Sequence, residues 1–90
     1  MDVRAYIVVR GLVQGVGYRY FIYRKAAQVD LNGFVKNLSD GSVEVVVEGD
    51  RSVIEEFLEI ARIGPRMARV TDMQIEWQKP EHQFHEFTIR

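Results

Sequence analysis

The stretch from residue 3 to residue 30, VRAYIVVRGLVQGVGYRYFIYRKAAQVD, decides how this chain folds. It begins with residues that largely alternate, which is the period of a strand with one buried face. The face predicted to be buried carries Val3, Ala5, Ile7 and Val9. Residues 11–19 contain three glycines and follow no period, so they predict a loop. From Tyr20 to about Asp30 the apolar spacing becomes helical, and Asn32-Gly33 is predicted to end that helix. The buried stripe of the helix would be Ile22, Ala26 and Val29.

Four segments further along the chain have the pattern of strands, and a turn lies between the first two of them. Residues 34–38 and 43–48 predict a hairpin, because an Asp-Gly step, which tolerates positive φ, lies between them. Residues 70–78 alternate again and predict a fourth strand. A short segment at residues 84–89 could add a last one.

A second helix is predicted between the hairpin and the fourth strand. Ser52 and Glu55 have the spacing of a capping box, which marks a helix start. Gly64 supplies a stop, and Pro65 prevents the helix from continuing. The apolar stripe of this helix is formed by Ile54, Phe57, Leu58 and Ala61.

The predicted order is β-α-β-β-α-β, followed by a short C-terminal strand. Right-handed crossovers place both helices on the same side of the sheet. The pattern therefore predicts an α+β fold of the ferredoxin-like type, a sandwich of one antiparallel sheet with two helices on one face. Ninety residues accommodate one such domain, spanning residues 1–90.

Composition narrows the functional classes. Hydrophobic residues make up 47% of the chain and charged residues 28%, the balance of a globular domain. With no cysteine, disulfides and thiolate zinc sites are excluded. Twelve basic against 13 acidic residues give a net charge of -1, which argues against a nucleic-acid partner. No apolar run approaches the roughly 20 residues of a membrane span, and no signal peptide is recognisable. We expect a cytoplasmic monomer.

The glycine-rich loop has the features of a phosphate site. Gly15 and Gly17 allow backbone conformations that turn N–H groups inward as an anion nest. The start of the following helix adds partial positive charge. Arg19 adds a planar fork of donors that matches a pair of phosphate oxygens. The loop is not a P-loop, since Tyr18-Arg19-Tyr20 stands where Gly-Lys-Ser/Thr is required.

Other interpretations remain open at this point. The loop could simply turn the chain, with Arg19 paired to a surface carboxylate. Exposed aromatics on an open sheet could bind RNA without catalysis, although no RNA-recognition strand motif is present. His82 and His85 have opposite parity on the last predicted strand and no third ligand nearby, so surface histidines are favoured over a metal site. The acidic residues of the second helix are read as a solvated face.

Two long motifs carry a family resemblance. Residues 11–19, GLVQGVGYR, resemble the acylphosphatase signature G-x-V-Q-G-V-x-[FY]-R. Residues 33–44, GFVKNLSDGSVE, resemble the second signature of that family, G-[FWY]-V-x-N-x-x-D-G-x-V-E. Lys36 stands where arginine is common. The resemblance covers essentially the whole chain, in the expected order.

The resemblance implies a metal-independent hydrolase with no cofactor, which cleaves a small-molecule acyl phosphate into carboxylate and inorganic phosphate. It implies that Arg19 binds the phosphate and Asn37 positions the attacking water. The loop amides that would cradle the phosphate oxygens are those of Gln14, Gly15, Val16, Gly17 and Tyr18. The acylphosphatase portion of larger carbamoyl-phosphate-handling enzymes is also similar. At 90 residues, a free-standing enzyme is favoured.

Overall fold

A computed structural model describes all 90 residues as two helices on one five-stranded sheet. The elements are β1 (Asp2–Leu12), α1 (Tyr18–Gln28), β2 (Asn32–Asn37), β3 (Val43–Asp50), α2 (Arg51–Ile63), β4 (Arg69–Gln78) and β5 (Phe87–Ile89). The strand order is β4-β1-β3-β2-β5. The first four of these strands are antiparallel to their neighbours, as the ferredoxin-like prediction requires, and β5 pairs with β2 in parallel. The sheet is therefore mixed.

The core lies between the sheet and the two helices. On β1 the inward residues Ala5, Ile7 and Val9 are fully buried, and each pairs across the ladder with an inward valine of β3. Those valines are Val47, Val45 and Val43. The two helices cover this face with Ile22, Ala26, Ile54 and Phe57, all buried. Alternation along β1 thus placed the buried face correctly.

Helix α1 begins two residues earlier than predicted and buries a different stripe. Tyr18 is its first residue and is 1% exposed, so the buried row is Tyr18, Ile22 and Ala26. Val29, predicted to be buried, is the C-cap and is 43% exposed. The helix is followed by Asp30 in the left-handed region, at φ 57°, rather than ended by Asn32-Gly33, which belongs to β2. Tyr18 lies four residues before Ile22, and Val29 lies three residues after Ala26. Both spacings are helical, so the sequence pattern does not choose between them.

Helix α2 has the predicted apolar stripe but a different N-cap. The Asp50 carboxylate accepts a hydrogen bond from the Ser52 amide at 3.2 Å, so Asp50 caps the helix and the capping box at Ser52 and Glu55 does not form. Glu55 instead lies 3.6 Å from Arg51. Gly64 ends the helix as predicted. Neither helix has the length and apolar composition needed to cross a bilayer.

The segment at residues 79–86 runs along the sheet face that the helices leave uncovered. Buried Glu48 accepts hydrogen bonds from the amides of Glu81 and His82, at 2.8 and 3.0 Å. The Phe84 ring packs edge-on against Phe34, with centroids 5.9 Å apart. The last strand is consequently shorter than predicted, and its pairing with β2 begins at residue 87.

Candidate active site

The loop between β1 and α1 is fixed at both ends by buried side chains. Val13 and Tyr18 are each 1% exposed. Between them Gly15 and Gly17 adopt φ values of 74° and 80°, a region that other residues rarely enter. Gly17 is the N-cap, and no side chain caps the helix. The first hydrogen bond of α1 runs from the Phe21 amide to the Gly17 carbonyl, so the preceding amides lack helical partners.

A cavity of about 200 Å³ lies at this end of α1. It is lined by Val13, Gly15, Gly17, Tyr18, Arg19, Tyr20, Asn37 and Ile89. The topology explains the assembly. Because β1 and β2 are both antiparallel to β3, they run in the same direction, and β5 is parallel to β2. The carboxyl ends of all three strands therefore meet at one end of the sheet, where the loop, Asn37 and Ile89 come together.

Arg19 lies in the first turn of α1 rather than at the end of the loop. Its Nη1 donates a hydrogen bond to the carbonyl of Arg90, at 3.0 Å. None of the five ion pairs in the protein includes Arg19. No aspartate or glutamate side chain pairs with Arg19, so the interpretation in which it pairs with an acidic surface side chain is not supported. The first turn contains no acidic residue either, so its positive end is not neutralised from within the helix.

Asn37 faces the same cavity from the end of β2. Its Oδ1 is buried and has no hydrogen-bond partner in the protein. A buried amide oxygen without a partner is unfavourable unless water or a ligand supplies a donor. The structure thus brings Arg19 and Asn37 to one cavity, and the Oδ1 of Asn37 remains an unused hydrogen-bond acceptor.

Gln14 and Val16 do not line this cavity. The Gln14 side chain turns away and donates to the carbonyls of Leu38 and Ser42, both at 2.8 Å. It joins the loop to the β2–β3 turn that follows Asn37. In the same turn Ser42 donates its hydroxyl and its amide to Asp40, and these hydrogen bonds lower the pKa of the Asp40 carboxyl. Nothing in the local pattern around Gln14 indicates this bridging role.

Tyr20 and Ile89 also line the cavity, although the sequence pattern did not select them. Tyr20 lies one helical residue beyond Arg19, and Ile89 arrives through the parallel pairing of β5. No group of three or more histidine or acidic side chains in the protein is arranged to hold a metal ion. His82 and His85 are exposed, as predicted.

A sequence model of the acylphosphatase family matches residues 5–89. The chain belongs to the acylphosphatase family. An acylphosphatase of Moorella thermoacetica is 49% identical over 78 residues, which cover 87% of this chain and 84% of the relative. One of Thermococcus kodakarensis is 44% identical over 79 residues, 88% of this chain and 87% of the relative.

Solved structures agree with the family assignment. The crystal structure of acylphosphatase from Bacillus subtilis matches with a TM-score of 0.95 at 36% identity, over 98% of both chains. The HypF structure from T. kodakarensis matches with a TM-score of 0.85 at 37% identity, but only 12% of that longer chain is covered. The predicted family, fold class and hydrolase activity are thereby confirmed. Membership implies a small-molecule acyl phosphate as substrate and inorganic phosphate as product.

The Tyr18 side chain connects this site to the second helix. Its hydroxyl donates to the Ala61 carbonyl at 2.7 Å. In a continuing helix that carbonyl would accept from residue 65, but Pro65 has no N–H to give. The tyrosine thus satisfies a carbonyl that the end of α2 leaves open. Burial raises the pKa of Tyr18 well above its ordinary value of 10.0.

We predict that Tyr18→Phe destabilises the fold by about 1–3 kcal/mol at pH 7, because the Ala61 carbonyl loses its donor. A raised folded-state pKa contributes stability that is complete below pH 10 and declines as the pH rises toward the folded pKa. The difference between wild type and variant should therefore shrink above pH 10.

Urea unfolding at pH 7 and pH 11 measures this difference. Tyr23→Phe is the matched control, since the Tyr23 hydroxyl makes no hydrogen bond within the protein. It should be nearly neutral at both values. A Tyr18→Phe variant as stable as wild type at pH 7 would contradict the assigned contact.

Proposed function

We propose that this chain hydrolyses the carboxyl–phosphate bond of acyl phosphates by in-line attack of water on phosphorus. The phosphate is held by the amides around Gly15–Tyr18 and by the Arg19 guanidinium, and the water is held by Asn37. The observation that carries the proposal is that one cavity is lined by Arg19, which pairs with no acidic side chain, and by Asn37, whose buried Oδ1 has no hydrogen-bond partner. The chain is proposed to work as a cytoplasmic monomer, without a nucleic-acid partner.

Phosphate binding draws on three sources of positive potential at the start of α1. Gly15 and Gly17 line the cavity at positive φ and supply backbone amides, the uncapped helix end adds its partial charge, and Arg19 adds a full charge. The hydrogen bond from Arg19 to the Arg90 carbonyl uses one guanidinium donor and holds the side chain in place. The remaining donors are free to meet two phosphate oxygens.

Attack requires a water molecule in line with the breaking bond. The unpartnered Oδ1 of Asn37 accepts a hydrogen from that water, which directs a lone pair of the water toward phosphorus. The new bond forms between water oxygen and phosphorus, and the bond between phosphorus and the acyl oxygen breaks. In a loose transition state the attacking water needs little deprotonation. Positioning of the water and stabilisation of the charge on the phosphoryl oxygens are therefore enough for catalysis.

The leaving group explains why so few residues are needed. A carboxylate has a solution pKa of ~4 and departs with the electron pair without protonation. The cavity contains no carboxylate or imidazole to act as a general acid. An acyl phosphate suits such a site, whereas an alkoxide leaving group does not.

We predict that Asn37→Ala lowers kcat for benzoyl phosphate by about 10²-fold or more with little change in KM, because positioning acts in the transition state. Arg19→Gln should lower kcat/KM by about 10³-fold through lost binding and lost charge stabilisation. Initial rates of anhydride loss, measured with chelator present, give both values.

The control variant is Lys36→Gln, which removes an exposed cation beside Asn37 in sequence but on the opposite sheet face. It should leave both constants within about twofold, as expected for a surface change. Full activity in Asn37→Ala and Arg19→Gln would refute the assigned roles.

Substrate selectivity provides an independent prediction. Because no general acid is available, 4-nitrophenyl phosphate and sugar phosphates should be hydrolysed at least about 10²-fold more slowly than benzoyl phosphate. Phosphate release from each at equal concentration measures this ratio. Equal rates would mean that the site assists leaving groups more basic than a carboxylate, a phenolate in one case and an alkoxide in the other, contrary to the mechanism.

A further inference from the structure

A second cavity, of about 400 Å³, adjoins the phosphate cavity across the first turn of α1. Gly17 and Tyr20 line both. The two cavities open on different flanks of the helix. The first is bordered by Asn37 and Ile89 of β2 and β5, and the second by Pro65 of the α2–β4 connection. A group attached to a phosphate at the helix start can extend past Tyr20 into the second cavity.

The second cavity is positively charged. Arg24 and Lys25 line it, and none of its lining residues is acidic. Neither cation takes part in any of the five ion pairs of the protein. Helix α1 itself contains no acidic residue that could neutralise them. Two cations without a partner carboxylate beside an anion-binding helix end are available to a negatively charged ligand.

Tyr20, which lines both cavities, lies against Arg24. Its ring lies 5.9 Å from the Arg24 guanidinium carbon and 6.2 Å from the ring of Tyr23, with which it stacks. Arg24 follows Arg19 by five residues, which is about 7.5 Å along a helix axis. The two residues also lie about 140° apart around the axis, so Arg24 is on a different flank of the helix from Arg19.

The direction of the second cavity agrees with in-line displacement. Water held by Asn37 attacks from the β2 side, so the acyl group departs from the opposite side of phosphorus. No residue of β2 lines the second cavity. The departing acyl group and the attacking water thus occupy different flanks of α1.

We propose that Arg24 and Lys25 form an acyl-group subsite that favours acyl phosphates with a second anionic group, a carboxylate or a phosphate, on the acyl part. This inference rests on the proposed function, because the acyl group is placed relative to a phosphate at Arg19. The two cations act on substrate binding and not on the chemical step.

Three para-substituted benzoyl phosphates test the subsite. The 4-carboxy and 4-phosphono compounds carry the second anion, and the 4-methyl compound is the neutral reference. For each, kcat and KM are measured in the wild type and in the Arg24→Gln/Lys25→Gln double variant. The double variant should raise KM for the anionic substrates about fivefold or more, the range expected for partly exposed charges. The kcat values and the neutral substrate should change less than twofold.

Lys79→Gln is the matched control. Lys79 follows Gln78, the last residue of β4, and Gln78 pairs with Arg4. Arg4 lies near the start of β1, at the end of that strand far from the loop. The control variant should leave all KM values unchanged. In the wild type, the lower KM for the anionic substrates relative to the neutral one should also become less pronounced between 0.02 and 0.2 M salt, because the Debye length shortens over that range.

The outcomes separate the two hypotheses. A KM effect confined to the anionic substrates and to the double variant supports the subsite, and the larger effect identifies the preferred anion. Equal KM changes for all three substrates, no change, or the same change in Lys79→Gln would overturn the subsite while leaving the proposed function intact. If the wild type hydrolyses none of the three, the proposed function itself fails.

Discussion

The buried anchors at Val13 and Tyr18 constrain the rest of this site. Each side chain is 1% exposed, so the four residues between them must connect a sheet strand to a helix start across a fixed gap. Two glycines at positive φ make the connection, and the second serves as the N-cap. Because a glycine has no side chain, the first amides of the helix have no capping group. Those open amides, next to Arg19, are what an anion requires.

Sheet topology then supplies the other half of the site. Three strands that run in one direction end beside the loop, and they bring Asn37, Ile89 and the Arg90 carbonyl to it. Gln14 joins the loop to the turn after Asn37 through two hydrogen bonds. The parts proposed to bind phosphate and water are therefore held in register by β-sheet and side-chain contacts rather than by a mobile element. Such fixed placement is what electrostatic and positional catalysis needs.

Much of this was predictable from sequence, and the failures have physical causes. Alternation in β1 and the stripe of α2 identified the core because both patterns are strongly periodic. The predicted start of α1 is two residues too late, because a tyrosine at position 18 does not look like a core residue in sequence. Its ring is nevertheless buried, and its hydroxyl donates to the carbonyl of Ala61, which is distant in sequence. Asp50 caps α2 in place of the predicted capping box. Asp50 and Ser52 are both good N-cap residues, and their spacing alone does not show which of them caps the helix. The parallel pairing of β5 and the second cavity depend on long-range contacts that one sequence does not encode locally.

We expect phosphate to bind at the start of α1, facing Asn37. Titration of ¹⁵N-labelled protein with inorganic phosphate, followed by amide chemical shifts, measures this binding. Saturable shifts should be largest for the backbone amides of Gly15 to Tyr20 and for the Asn37 side chain. Arg19→Gln should abolish the saturation, while Lys79→Gln should not alter it. Shifts centred elsewhere, such as around Glu48, or no saturable shift at all, would mean that phosphate does not bind at the start of α1.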